Sequence, residues 1–521
     1  MRVKSIATVA AVVTLVAIVF FALTAFAGNP AGPSTPPGST YSYTLEDIYN
    51  RLHDGTPPVE GESLIGDVDG FLTTLEADGF AIKEVELVKM DLFALCDKGY
   101  IPDCFGNNAG APYMAVLMDE EDMPVFGTFR LRPDEALVVV GNTPPEMRYF
   151  SYRSYVSQRY DRSGLARERE YALSTEKPVS FGPADVSPEP DYMRIFTSLG
   201  DTINNLSIRT TATPDGEGED PFDSQMMIIS TADAGIDSRI RAAAGLAGYS
   251  QEIINTDVLP SAVLKLGTGD TDDLLAFLHR MAAPVDQAAL DEYMDNPPVR
   301  VFRLTPTEET ALDPFQVPKM RVRGTGHTEM DLMPASEALG QAILERYQAE
   351  GYTARELLTK PWLPETFESL QRSFNALGEV RDTAYLTSEA FALPDDPNVF
   401  AIAYGVDHTK TGKAAYSNVS VYGQQYVNGV AGYFTEAFAG SSQQYLPGHL
   451  QGHMLYAVKI ARDCSGEQYC IEVPHDDEKP CYTATLDGNV YVVFRSYLEP
   501  ETMTGPNPVE LILDRVIVFS K

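Results

Sequence analysis

Apolar and polar positions along this chain follow two rhythms. Between about residue 63 and residue 175 the apolar runs are short, partly alternating and bounded by turn residues, as in APYMAVLM, VFGTFRLR and ALVVVG. Such runs predict strands. From about residue 190, strand-like and helix-like runs take turns. QMMIIS (Gln225 to Ser230), AVLKLG and VRVFRL (Val299 to Leu304) predict strands, and DSRIRAAAGLAGY predicts a helix. DTDDLLAFLHRMA also reads as a helix, with Leu274, Phe277, Leu278 and Met281 on one face and Pro284 as its stop. SEALGQAILERYQAEG is the clearest helix: Leu339, Ile343 and Tyr347 are in register and Gly351 ends it. From about residue 380 to the end the pattern is β-rich again.

These runs predict an α+β chain in which two β-rich, sandwich-like blocks, 63–189 and 376–521, flank an α/β segment at 190–310 and a helical connector at 311–375. The two blocks share a pattern. FRLRPDEALVVVGNTPPEMRYFSYRSY (Phe129 to Tyr155) and FALPDDPNVFAIAYGVDHTKTGKAAYSNVSVY (Phe391 to Tyr422) each run from Phe-x-Leu through an apolar strand to a glycine, Gly141 or Gly405. A loop and a Tyr-x5-Tyr strand follow in each. This spacing suggests a duplicated β-hairpin unit. The second loop is longer than the first and carries the charged residues.

The N-terminus adds a compartment. Arg2 and Lys4 precede an apolar run from Ile6 to Ala25, and Ala25-Phe26-Ala27 offers a cleavage pattern before Gly28. Residues 1–27 therefore read as a signal peptide, with an uncleaved anchor as the alternative. Residues 28–62 are a proline- and glycine-rich spacer ending in a short helix, YTLEDIYNRL. The expected location is secreted, periplasmic or cell-surface, with no membrane contact once the signal is removed. The 39 basic and 74 acidic residues among 521 give a net charge of −35, which repels nucleic acid. A neutral ligand such as a glycan is compatible with that surface.

Export permits disulfides among the five cysteines. The short spacings favour Cys96 with Cys104 and Cys464 with Cys470, although Cys481 competes for a partner.

Candidate chemistry concentrates in GVDHTKTGKAAYS, Gly405 to Ser417. Two lysines and a histidine stand together in an acidic chain, with Asp407, His408 and Lys413 as the candidate catalytic set: Asp407 orients His408, and Lys413 stabilises negative charge. A phosphate loop fails on spacing, since Gly405 lies seven residues before Gly412 and Ala414 follows Lys413. GDVDGFLTTLEADG lacks the third ligand of a calcium loop. His449 and His453, four apart in GHLQGHM, with His475 in EVPHDDE, form the candidate set for a divalent metal. Seven tyrosines between Tyr404 and Tyr456 could form a sugar-stacking face. The function expected from the sequence is an exported acidic binding or structural protein of unknown ligand, with a glycan as one compatible class; the alternative is a secreted hydrolase, with or without a metal, centred on His408.

Overall fold

The computed structural model describes residues 67–98, 101, 103–118, 127–160, 192–214, 220–362, 365–372 and 374–521. The expected signal peptide, spacer and short helix over YTLEDIYNRL fall on residues outside those described. No helix among those described is long and apolar enough to cross a membrane.

The first lobe begins with α1 (Val68–Ala77), capped by the Asp67 carboxylate, which accepts from the Gly70 amide at 2.9 Å. That role accounts for the calcium-like GDVDG sequence. Its strands are β1 (Phe80–Met90), β2 (Tyr113–Leu117), β3 (Ala136–Asn142), β4 (Met147–Tyr160), β5 (Tyr192–Ser198), β6 (Ile203–Asn204), β7 (Gln225–Thr231), β8 (Ile254–Val258), β9 (Leu274–Pro284) and β10 (Val299–Pro306). Helices α2 (Leu92–Asp97), α3 (Ala234–Leu246) and α4 (Gln287–Asp295) complete it.

The sheet folds over at β1. Phe80–Val85 pair with β10, and Glu86–Met90 pair with β2. One layer runs β1-β10-β3-β7-β8 and the other β1-β2-β9-β4-β5. Alternation along β3 shows why the layers stack. Leu137 and Val139 enter the core between the layers, whereas Ala136, Val138 and Val140 face α1 and α3. A strand apolar on both faces belongs at the centre of such a stack.

The second lobe contains α5 (Met333–Ala349), β11 (Thr353–Leu357), β12 (Thr359–Trp362), α6 (Thr366–Arg372), β13 (Thr383–Ser388), β14 (Phe391–Ala392), β15 (Val399–Val406), β16 (Tyr416–Gly423), β17 (Asn428–Phe434), β18 (Leu455–Ala461), β19 (Cys470–Glu472), β20 (Asn489–Tyr497) and β21 (Arg515–Ser520). Its layers run β11-β21-β15-β18-β19 and β12-β13-β20-β16-β17.

That order repeats the first lobe strand for strand. The terminal pair of the helix-covered layer is parallel in both lobes, β7 with β8 and β18 with β19, and the other pairs are antiparallel. Register repeats as well. Tyr113 faces Arg280 and Tyr385 faces Arg495. Arg300 pairs with Glu84 across β10 and β1, and Arg515 pairs with Glu356 across β21 and β11. A Cβ on Gly141 would come 2.3 Å from the Pro298 carbonyl oxygen, and one on Gly405 would come 2.3 Å from the Asp514 carboxylate, so both glycines make room for a close neighbour, backbone in the first lobe and side chain in the second.

The fold is thus α+β with β-rich sandwiches, but several finer expectations change. The stretches Phe129–Tyr155 and Phe391–Tyr422 are not hairpins. In each the two long strands lie in different layers and never pair: β3 joins β10 and β7 while β4 joins β9 and β5, and β15 and β16 part in the same way. DTDDLLAFLHRMA contains β9, not a helix. Its run is buried along most of its length between β4 and β2, so apolar residues on both strand faces imitate a helical stripe. AVLKLG supplies turns. Strands from 63–189 and 190–310 interleave in one sheet, with β4 beside β9, and α5, β11 and β12 from the connector range belong to the second lobe.

The lobes meet through their uncovered layers. Tyr149, Ala282 and Ala111 of the first pack with Tyr416, Tyr497 and Val380 of the second. The polar contacts are reciprocal: Gly106 donates to the Val427 carbonyl and Gly378 to that of Phe196. The Arg280 guanidinium donates to the Gly378 carbonyl, and that of Arg495 to the Gly106 carbonyl at 2.8 Å. Such an exchange of equivalent contacts has the form of an isologous dimer interface.

Candidate functional site

The loop joining β15 to β16 is folded inward. The Asp407 carboxylate accepts from the amide and hydroxyl of Thr409, at 3.1 and 2.6 Å, and shapes the turn. The turn carries His408 into a buried position. There Nδ1 lies 2.8 Å from Glu329 Oε1, and Nε2 lies 3.6 Å from Asp514 Oδ2. Glu329 also accepts from the Thr411 hydroxyl at 2.6 Å and the Ile512 amide at 2.9 Å. Tyr456 holds Asp514 through a 2.6 Å hydrogen bond.

Lys413 lies farther along the same loop and is only 4% exposed. Its Nζ lies 2.6 Å from Glu499, 2.6 Å from Glu510 and 3.0 Å from the Thr325 hydroxyl. Glu510 also accepts from the amides of Thr325 and Gly326. The loop therefore ties the inter-lobe connector, near Thr325–Glu329, to the chain near Glu499–Asp514. Lys410 points outward and is exposed.

The electrostatics follow from this geometry. Burial alone would lower the His408 pKa, but the Glu329 and Asp514 carboxylates outweigh it and hold the imidazole well above its ordinary value. Burial would raise the Glu329 pKa, but His408 brings it below the usual carboxylate range. Lys413 is likewise held up against burial by its bonds to Glu499 and Glu510. A protonated imidazole cannot accept a proton, and an ammonium ion cannot act as a nucleophile. In this arrangement the groups hold chain segments together.

Asp407, His408 and Lys413 share one loop, but Asp407 bonds Thr409 and does not orient His408 as expected; Glu329 contacts the imidazole instead, and Lys413 meets a separate pair of carboxylates from distant segments. Glu329, Glu499, Glu510 and Asp514 carry no local motif, so only the fold identifies them as partners.

The candidate metal set does not converge. His453 and His475 are exposed. His449 Nδ1 accepts from the Gln451 amide, and His453 Nδ1 contacts the Leu450 carbonyl at 3.1 Å. No group of three ligating side chains gathers among the described residues. The expected sugar-stacking face is also largely internal: Tyr404, Tyr416, Tyr422, Tyr433, Tyr445 and Tyr456 are buried in the sandwich, beneath α5 or between the lobes, and Tyr426 is half-buried.

The cysteines give one expected pair and one correction. Cys464 bonds Cys470 across 6 residues, as expected. Cys96 bonds Cys481 across a separation of 385 residues, leaving Cys104 buried as a thiol. Cys96, Cys104 and Cys481 share one small core at the meeting of the lobes, and there the bond joins Cys96 to Cys481 rather than closing the short ring.

No family model and no curated protein matches the chain. Among solved structures it is similar to an uncharacterized protein from Burkholderia cenocepacia, with 10% identity and a TM-score of 0.34 over 80% of this chain and 78% of that one. A likeness at that level carries no argument about fold or function.

Proposed function

We propose that this is an exported, acidic binding or structural protein, built by duplication of one sandwich unit and held as a rigid two-lobed body. The duplication accounts for the repeated strand order, the repeated register and the reciprocal lobe contacts. The observation that carries the functional reading is the pairing of His408 and Lys413 with buried carboxylates. Their charges are spent in tying chain segments together, which suits a scaffold better than a reacting centre. A neutral ligand, including a glycan, remains compatible with the acidic exterior, although its recognition must rest on groups other than the buried tyrosines.

Purified protein offered ester, phosphate-ester, glycoside and peptide substrates, with and without added divalent metal, tests this reading. The expected result is no turnover that depends on His408, and a lower Tm for His408→Gln. Turnover abolished by His408→Gln at unchanged Tm would establish the hydrolase alternative instead.

A further inference from the structure

The cysteine left as a thiol sits against the bond that joins the lobes. Cys104 is fully buried, in the same apolar core as Cys96 and Cys481. Its sulfur lies 3.7 Å from the Cys481 carbonyl oxygen, and its amide donates to the Tyr426 carbonyl at 2.9 Å. Both carbonyls belong to the second lobe. Cys96, on α2, makes the inter-lobe bond, with its Cα 5.9 Å from that of Cys481. Three sulfurs thus share one core, and that core exists only where the lobes meet.

Chain statistics favour a different pairing. Cys96 and Cys104 are 8 residues apart, whereas Cys96 and Cys481 are 385 apart. Loop closure becomes less probable as about the three-halves power of loop length, so an open chain favours the short ring by roughly 300-fold. The folded protein holds the opposite arrangement. Its pairing is therefore decided by the meeting of the lobes.

We propose that Cys104 is the exchange partner of the inter-lobe disulfide: the bond rests on Cys96–Cys104 while the lobes are apart and passes to Cys96–Cys481 when they close. In the closing step the Cys481 thiolate attacks the Cys96 sulfur. The Cys96–Cys481 bond forms and the Cys96–Cys104 bond breaks. Cys104 leaves as a thiolate and takes up the proton that Cys481 gave up. One disulfide replaces another, so no oxidant or reductant is consumed.

Closure then traps the product. The attacking species in exchange is a thiolate. Burial, with the Asp103 and Asp91 carboxylates nearby, holds the Cys104 thiol well above its ordinary pKa. Parting the lobes returns Cys104 to water, where it ionises near its ordinary value of about 8.5 and attacks Cys96 in reverse. The covalent tie between the lobes is thus locked by the same contacts that align it.

The test uses the full chain with its native disulfides, incubated at pH 8.5 with and without concentrated urea, quenched with acid and mapped without reduction. In urea, Cys96 should be recovered bonded to Cys104 in at least tenfold excess over Cys481. Without urea, Cys96 should remain bonded to Cys481. Removing the urea at pH 8.5 should return Cys96 to Cys481 and leave Cys104 unreactive toward a maleimide. Cys104→Ser should keep Cys96–Cys481 through the whole cycle. The decisive maps use the unaltered sequence, so they do not depend on how the variant folds. Any partner of Cys96 other than Cys104 in urea would overturn the proposal. So would a refolded protein, native by circular dichroism, that retains Cys96–Cys104.

Discussion

Arg280 and Arg495 occupy equivalent places in the two lobes, and each donates to a glycine carbonyl of the other lobe. Each also lies over a matching pair of tyrosine rings. Arg280 is 5.4 Å from the Tyr113 centroid and 5.3 Å from that of Tyr155; Arg495 is 5.6 Å from Tyr385 and 5.3 Å from Tyr422. Buried guanidiniums are costly unless their donors and faces are used. Here the tyrosine rings cover both guanidinium faces and each arginine sends one donor across to the other lobe, although Arg280 Nε is left without a partner among the described residues, and the lobes are fastened together by the same contact made in each direction.

Replacing either arginine by methionine should therefore cost about 1–3 kcal/mol, since it leaves a buried glycine carbonyl without its partner. The double variant Arg280→Met/Arg495→Met should separate the unfolding of the lobes. Calorimetry should show one transition for the native protein and two for the double variant. A single, unshifted transition would mean that the arginines do not couple the lobes.

Much of the layer pattern was legible in the sequence, and particular residues show where legibility ended. Ala234–Leu246 and Met333–Ala349 each bury one helical face, so periodicity found them. Gly141 and Gly405 aligned because each lies near the end of an apolar strand beside a close neighbour, the Pro298 backbone in one lobe and the Asp514 side chain in the other. Leu274–Pro284 misled because a central strand buries both faces and loses the alternation that marks an exposed one. The Glu329–His408 and Cys96–Cys481 contacts join segments far apart in sequence and left no local pattern.

The histidines predict opposing pH dependences. His408 has a raised folded-state pKa, so its contribution to stability is complete below about pH 6.5 and is lost as pH rises toward the folded value. The loss approaches about 1.4 kcal/mol per pH unit. His279 is the converse. Burial against Tyr152, at a ring separation of 4.0 Å, lowers its pKa to about 3, so its contribution is complete above about pH 6.5 and is lost on acidification. Urea unfolding from pH 4.5 to pH 8.5 should show the alkaline limb flattened in His408→Gln and the acid limb flattened in His279→Phe. Unchanged limbs in the variants would contradict these assignments.

Lys413→Met should be more damaging than substitution of exposed Lys410. It strands Glu499 and Glu510 in a buried site, at a cost of about 3–5 kcal/mol. Adding Glu499→Gln and Glu510→Gln should recover part of the loss, because the uncompensated charges are then gone. Equal urea midpoints for the Lys413 and Lys410 variants would refute the buried-pair account.

The disulfides should differ in weight. By the loop-entropy model, Cys96–Cys481 stabilises the chain by about 6 kcal/mol and Cys464–Cys470 by about 2 kcal/mol, since the first closes a far longer loop. A non-reducing peptide map should recover both bonds with Cys104 as a thiol, and Cys96→Ala/Cys481→Ala should lower Tm more than Cys464→Ala/Cys470→Ala. Recovery of a Cys96–Cys104 peptide would reverse the assignment.

The central claim is that His408 is a charged clamp held between carboxylates. Nitrogen-15 NMR of the imidazole in the intact protein tests it most directly. The account predicts an imidazolium, with both ring nitrogens protonated at pH 6.5 and a titration midpoint shifted above the ordinary histidine value. A neutral ring at pH 8 with a midpoint near 6.5, as a solvent-accessible general base would show, would contradict it.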